Sequence, residues 1–216
     1  MITAIVPIKK DSQRIESKNF TEINSKPLFF WILTSLQNSR YINEIIVNHD
    51  DEFTVNQVSK YFDSIKFIQR PESLFGHDVS MNKIIESSLE ECKNNSIIQV
   101  HTTSPFLKTS TLDKAIEQHN NSKQDIFSVT KLQERLYDAD LTPINHDLEN
   151  LIQTQDLKPI FLENSGFYIF SKDSFVSYKN RINEFSQIFE IDFPENLDID
   201  NQDDLELAKA IFSLIS

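Results

Sequence analysis

Short apolar runs alternate with stretches of helical spacing along most of this chain, and that alternation decides what it can fold into. The run MITAIVP, Met1 to Pro7, is nearly continuous in apolar residues, as a strand buried on both faces requires. After a polar stretch, Ser25-Lys26-Pro27 opens a helix with proline early in its first turn, and Leu28, Trp31, Ile32 and Leu36 recur at helical spacing. A strand is expected over Glu44 to Val47, a helix over Phe53 to Phe62 with Val55, Val58 and Phe62 on one face, and a strand over Ile65 to Ile68. The pattern then repeats as a helix over Ser80 to Cys92, a strand over Ile97 to His101, a helix over Ser110 to His119 from a Ser/Thr cap, and a strand over Ile126 to Thr130. Strands and helices in this order build βαβ units, so the expected fold class is α/β, a doubly wound and mostly parallel sheet of the Rossmann-like kind.

Residues 131 to 165 break the rhythm, with scattered Pro, Asn and Asp and little periodicity. Such an insertion serves as a lid, a substrate arm or an oligomer contact. Phe167 to Phe170 and Phe189 to Ile191 read as late strands. Asp203 to Ile215 reads as a closing amphipathic helix with Leu205, Leu207, Ala208, Ile211 and Leu214 apolar. A length of 216 residues without a long polar linker suits one domain over 1 to 216.

Charge narrows the partners. Twenty-one Lys and Arg stand against thirty-three Asp and Glu, a net charge of -12, which argues against a nucleic-acid or anionic membrane surface. Basic residues are nevertheless concentrated at the N-terminus, at Lys9, Lys10, Arg14, Lys18 and Lys26, a hint of a local anion site. Cys92 is the sole cysteine, so neither an intrachain disulfide nor a thiolate metal cluster is available. The histidines at 49, 77, 101, 119 and 146 show no ligand spacing, which makes a zinc site unexpected. No signal-peptide succession and no apolar run of about 20 residues occurs, so a cytoplasmic location is expected.

Ligands of open α/β sheets bind at the carboxyl ends of strands. The loop after the first strand, VPIKKDSQRIESKN from Val6 to Asn19, offers Lys9, Ser12, Arg14 and Lys18 there. From spacing alone it is either a solvated charged loop or a polyphosphate site. Asp198 and Asp200 form a D-x-D pair whose side chains share a face if the segment is extended. They are either capping and solvated acids beside Asp203 and Asp204 or ligands of a hard cation such as Mg²⁺.

The loop resembles the nucleotide-binding motif of the acylneuraminate cytidylyltransferases (CMP-sialic acid synthetases). Pro7, Ser12, Ile15, Lys18 and Asn19 match that motif and Lys9 takes the place of its arginine. Both motif glycines are replaced, by Lys10 and Asp11, and the motif lysine by Gln13, with Arg14 as a compensating charge. Further segments similar to the family follow in order: VNHDDE from Val47, QRPESL from Gln69, TTSPFLK from Thr102, TQDLKPIFLENSGFYIF from Thr154 and LDIDNQDDLELA from Leu197.

The resemblance implies transfer of CMP from CTP to an acidic, sialic acid-like nonulosonic sugar, with release of pyrophosphate. Alternatives are a different acceptor, such as 3-deoxy-octulosonic acid or a phosphonate, and a non-catalytic nucleotide-binding relative. It implies that Lys9, Ser12, Arg14 and Lys18 hold the triphosphate and that Asn19, Arg70 and Ser80 line the cytidine pocket. It further implies that Asp198 and Asp200 bind Mg²⁺, and that His101, Gln155 and Asn164 face the acceptor. A homodimer, with the insertion reaching the other subunit, is also implied.

Overall fold

Alternate residues of the first strand point to opposite sides and both sides are buried, because the strand has neighbours on each edge and helices on each face. In the computed structural model, which describes residues 1–76 and 78–215, this strand is β1 (Ile2–Ile8). Ile2, Ala4, Val6 and Ile8 join one core cluster, and Ile5 joins another. His77 lies outside the described residues.

A small hairpin of β2 (Glu22–Ile23) and β3 (Lys26–Pro27) leads into α1 (Leu28–Gln37). Pro27 therefore caps the helix from an extended conformation instead of sitting inside its first turn. The chain continues through β4 (Ile42–His49), α2 (Glu52–Val58), β5 (Lys66–Gln69), α3 (Met81–Leu89) and β6 (Ser96–Val100). It closes with α4 (Thr109–Ser122), β7 (Ile126–Leu132), β8 (Ile160–Ser171), α5 (Lys172–Tyr178), β9 (Gln187–Glu190) and α6 (Gln202–Ile215).

The main sheet runs β5-β4-β1-β6-β8-β7-β9. Every pairing among β5, β4, β1 and β6 is parallel, as is β7 with β9, whereas β8 is antiparallel to both β6 and β7. The expected doubly wound, mostly parallel sheet is what forms, and the strand order reverses at β1, where a ligand crevice belongs.

Several boundaries differ from the sequence reading. The helices expected over 53–62 and 80–92 are shorter, ending at Val58 and Leu89. α4 starts from Lys108, without a side-chain cap, not from a Ser/Thr cap. The break in rhythm after residue 130 contains ordered strand at both ends. Lys131 and Leu132 belong to β7 and pair with Phe161 and Ile160 of β8. Leu162 and its neighbours in this ribbon are exposed, so no apolar period marks it, whereas Phe167 to Phe170 are inserted between β6 and β7 and fully buried.

Where those two halves of β8 meet, the register shifts. Phe127 faces Tyr168 and Val129 faces Glu163, leaving residues 164–167 opposite Ser128. A Cβ at Gly166 would come within 3.0 Å of both Ile191 Cδ1 and Ser128 Oγ, so glycine permits this close approach. Ser165 takes a left-handed φ of 58° in the same bulge.

Candidate active site

Three connections meet beyond the carboxyl ends of β1 and β6 and enclose a cavity of about 390 Å³. The loop after β1 contributes Lys9, Ser12, Arg14, Lys18 and Asn19. The turn after β6 contributes His101, Thr102 and Thr103, and the segment before α6 contributes Asp198 and Asp200. Eight of the sequence-predicted site residues thus share one cavity, although the two acids lie about 180 positions from the loop they face.

The cations are held to different degrees. Lys18 Nζ donates to the Ile199 carbonyl at 2.7 Å and lies 3.4 Å from Asp200 Oδ1, with only 12% of its side chain exposed. Arg14 Nη2 reaches the same carboxylate oxygen at 2.7 Å but is 64% exposed. Burial lowers the pKa of the Lys9 ammonium, Asp50 opposes that, and the nearby Lys18, Arg70 and Arg14 lower it further. Such crowding of positive charge favours a polyanion; of the two cations on Asp200, Lys18 is the more firmly anchored and Arg14 the more exposed.

The two acids have unlike surroundings. Burial raises the pKa of Asp198, the Thr103 hydroxyl opposes this by donating to it, and Asp200 raises it further. Its Oδ1 is buried and has no hydrogen-bond partner. Capping of α6 falls to other residues: Asp204 Oδ2 accepts from the backbone N–H of Asp200 and Asn201, and Asn201 Oδ1 accepts from Asp204 N–H. Asp198 and Asp200 are therefore not the cap. A buried, orphaned carboxylate oxygen beside a second carboxylate fits a hard divalent cation. No group of three or more metal-binding side chains occurs among the described residues. That suits Mg²⁺, which binds one or two carboxylates and takes its other ligands from water and phosphate.

The loop after β1 is built without glycine. Neither Lys10 nor Asp11 has a positive φ; within the loop only Ser17 does, at 49°. Lys10 is drawn away from the cavity, its N–H donating to Asp50 at 2.9 Å and its Nζ pairing with Asp51 at 3.3 Å. Asp11 is exposed and lines a neighbouring hollow with Asp50 and Asp51, outside the main cavity; Lys9 borders both hollows. Asn19 braces the loop: its amide donates to the Lys9 carbonyl at 2.7 Å and accepts from the Thr102 hydroxyl.

Four sequence-predicted residues are placed elsewhere. Arg70 is 4% exposed, and its guanidinium donates to Asn48 Oδ1, the Asn48 carbonyl and the Ile8 carbonyl, clamping β1, β4 and the end of β5. Ser80 precedes α3 and lines other hollows, while Met81 reaches the main cavity. Gln155 is exposed and donates to Gln153 at 2.8 Å. Asn164 has both ends of its amide engaged by Ser128 and Thr130 across the bulge, where it holds Ser165 against the cavity.

Sequence reasoning missed Thr103, Ser165 and Arg181. Thr103 was visible only as part of a matching segment. Ser165 depends on the bulge. Arg181 packs 3.7 Å from the Tyr168 ring centroid and donates to Gln99 at 2.6 Å, and neither partner is a sequence neighbour.

The family model described as Cytidylyltransferase matches residues 3–214. A pseudaminic acid cytidylyltransferase of Campylobacter jejuni subsp. jejuni serotype O:23/36 is 25% identical over 97% of this chain and 95% of its own. An N-acylneuraminate cytidylyltransferase of Escherichia coli O18:K1:H7 is 25% identical over 97% of this chain and 52% of its own. A CMP-N,N'-diacetyllegionaminic acid synthase of Legionella pneumophila subsp. pneumophila is 21% identical over 99% of this chain and 97% of its own. Among solved structures, a CMP:2-keto-3-deoxy-manno-octonic acid synthetase complexed with CTP superposes with a TM-score of 0.74 at 12% identity, covering 100% of this chain and 99% of that one, a likeness of fold.

Proposed function

The chain belongs to the cytidylyltransferase family, and from that premise we propose that it transfers CMP from CTP to an acidic, sialic acid-like nonulosonic sugar with release of pyrophosphate. The observation that carries this reading is the meeting of Lys9, Arg14 and Lys18 with Asp198 and Asp200 in one cavity at the carboxyl end of the sheet. Support for an acidic acceptor comes from the relatives, which are named for pseudaminic, acylneuraminic and legionaminic acids and align over 97% or more of this chain. The 3-deoxy-manno-octulosonate alternative aligns over 53%.

In this reaction the acceptor hydroxyl attacks the α-phosphorus and pyrophosphate leaves, so charge builds on the leaving oxygens and no protein nucleophile is needed. Lys18 is placed to neutralise that charge without reorganising, since its ammonium is already fixed by the Ile199 carbonyl. Lys9, Ser12 and Arg14 hold the remaining phosphate oxygens, Arg14 by exchanging Asp200 for phosphate. Asp198 and Asp200 would hold Mg²⁺, which when bound neutralises the triphosphate and orients it. Asn19 keeps the loop closed against β6.

The reading places the protein with its nucleotide in the cytoplasm; among the described residues no helix is long and apolar enough to cross a membrane. It also pairs two copies through the arm between β7 and β8, where Leu141, Ile144, Leu148 and Leu151 are exposed. Titrating the protein with CTP, UTP, ATP and GTP in the presence of Mg²⁺ tests the nucleotide assignment. Selective binding of CTP is expected; equal affinity for all four would overturn it.

A further inference from the structure

Arg181 is a desolvated cation for which no carboxylate forms an ion pair among the described residues. Its guanidinium lies over the Tyr168 ring, and the Tyr168 hydroxyl is tied to Glu163 and Ser165. What Arg181 does contact is the amide of Gln99, a fully buried side chain on β6, at 2.6 Å from Nη1 to Oε1. Gln99 Nε2 in turn lies 3.0 Å from His101 Nε2, and His101 lines the cavity.

The direction of this chain follows from chemistry. A guanidinium only donates, so the amide oxygen must face Arg181 and the amide NH₂ must face His101. An NH₂ only donates, so His101 Nε2 must accept, and an accepting ring nitrogen carries no proton. The proton of a neutral ring then sits on Nδ1, to which no hydrogen bond is formed among the described residues. We infer that Arg181 and Gln99 are positioning residues that lock His101 as the neutral Nδ1–H tautomer, so that it presents a hydrogen-bond donor to an oxygen of the acceptor. The surroundings agree: burial, Arg181 and Lys18 all hold the imidazole neutral, with its pKa lowered to about 4, against the weaker pull of Asp200. The acceptor half of this inference rests on the proposed reaction; the tautomer half does not.

Two arms keep those halves apart. The first is ¹⁵N NMR of the labelled, ligand-free full chain at neutral pH, which needs no acceptor. His101 should show a protonated Nδ1 and a bare Nε2. Gln99→Glu keeps the shape and pairs with Arg181, but its carboxylate can only accept, so His101 Nε2 should become protonated. Arg181→Gln frees the Gln99 amide to turn and should give a mixture of both tautomers. A protonated Nε2 in the parent protein, or an unchanged pattern in both variants, overturns the lock.

The second arm is steady-state kinetics with the acid that is turned over. Gln99→Glu should raise the KM for that acid on the order of tenfold, the loss of one hydrogen bond, with the KM for CTP unchanged. Equal changes in both constants overturn the acceptor assignment. If no acid is turned over, the proposed function fails on its own assay while the tautomer result stands or falls separately.

Discussion

Replacing Asp198 with Asn should make the ligand-free protein more stable and the enzyme inactive. The carboxylate carries a charge into a site where Oδ1 is buried without a partner, and burial raises its pKa. A carboxyl whose pKa is raised on folding holds its proton more tightly in the folded chain. Its contribution to stability is therefore lost as pH rises from the ordinary Asp range through the raised value, and at neutral pH the charge opposes folding. Asn leaves a polar amide group where Oδ1 lies but removes the desolvated charge, and because the residue is partly exposed the gain is small, about 1 kcal/mol. For a chain of this size that is about 2–4 °C in melting temperature. Asn keeps the shape and an acceptor for the Thr103 hydroxyl. Thermal melts of parent and D198N at neutral pH, each with and without Mg²⁺ and CTP, check both halves. The variant should melt higher alone and should lose any stabilisation that Mg²⁺ adds to CTP. A variant that melts lower alone, or that keeps the Mg²⁺ increment, refutes the assignment of Asp198 as a strained metal ligand.

Lys18→Met should lower kcat/KM by on the order of 10²-fold, the scale of one preorganised donor at developing charge, while the more exposed Arg14→Gln should cost less, as initial rates with CTP will show. Arg70→Ala should act on stability instead of CTP affinity: it strands Asn48 and two backbone carbonyls, and about 3 kcal/mol or more should be lost in urea unfolding. Folded-state stability should fall as pH is lowered from about 6.5 toward 4, because the unfolded chain protonates His101 before the folded one does, and His101→Gln should flatten that part of the difference in pH-dependent melting. Cys92, buried with its thiol pushed up to about 12, should react with a thiol reagent at pH 8 only once denaturant is added.

The parallel half of the fold was legible because buried strands and amphipathic helices carry opposite apolar periods, and β1, β4 and β6 announce themselves as near-continuous apolar runs. β8 was half legible: Phe167 to Phe170 are buried, whereas Ile160 to Glu163 form a ribbon with little cover and so lack any period. α5, at seven residues, is too short for a period to show. The cation loop and the D-x-D pair were visible as local patterns, but their meeting depends on a contact between Arg14 and Asp200 that no local rule supplies. Arg70 was expected to line the pocket only through the resemblance of the QRPESL segment to the family. Only its burial against Asn48 identifies it as a clamp. The Arg181–Gln99–His101 chain joins residues 82 positions apart, and its logic lies in donor and acceptor geometry that exists only after folding.

The most direct test of the account is pyrophosphate release with Mg²⁺ and CTP across a panel of acidic sugars: sialic, pseudaminic, legionaminic and 3-deoxy-octulosonic acids. Release with CTP and a nonulosonic acid, absent with the other three nucleotides and abolished in D200A with the fold intact, is the predicted result. Near-native turnover by D200A, or no pyrophosphate with any acid from a protein that also fails to bind CTP, would contradict it.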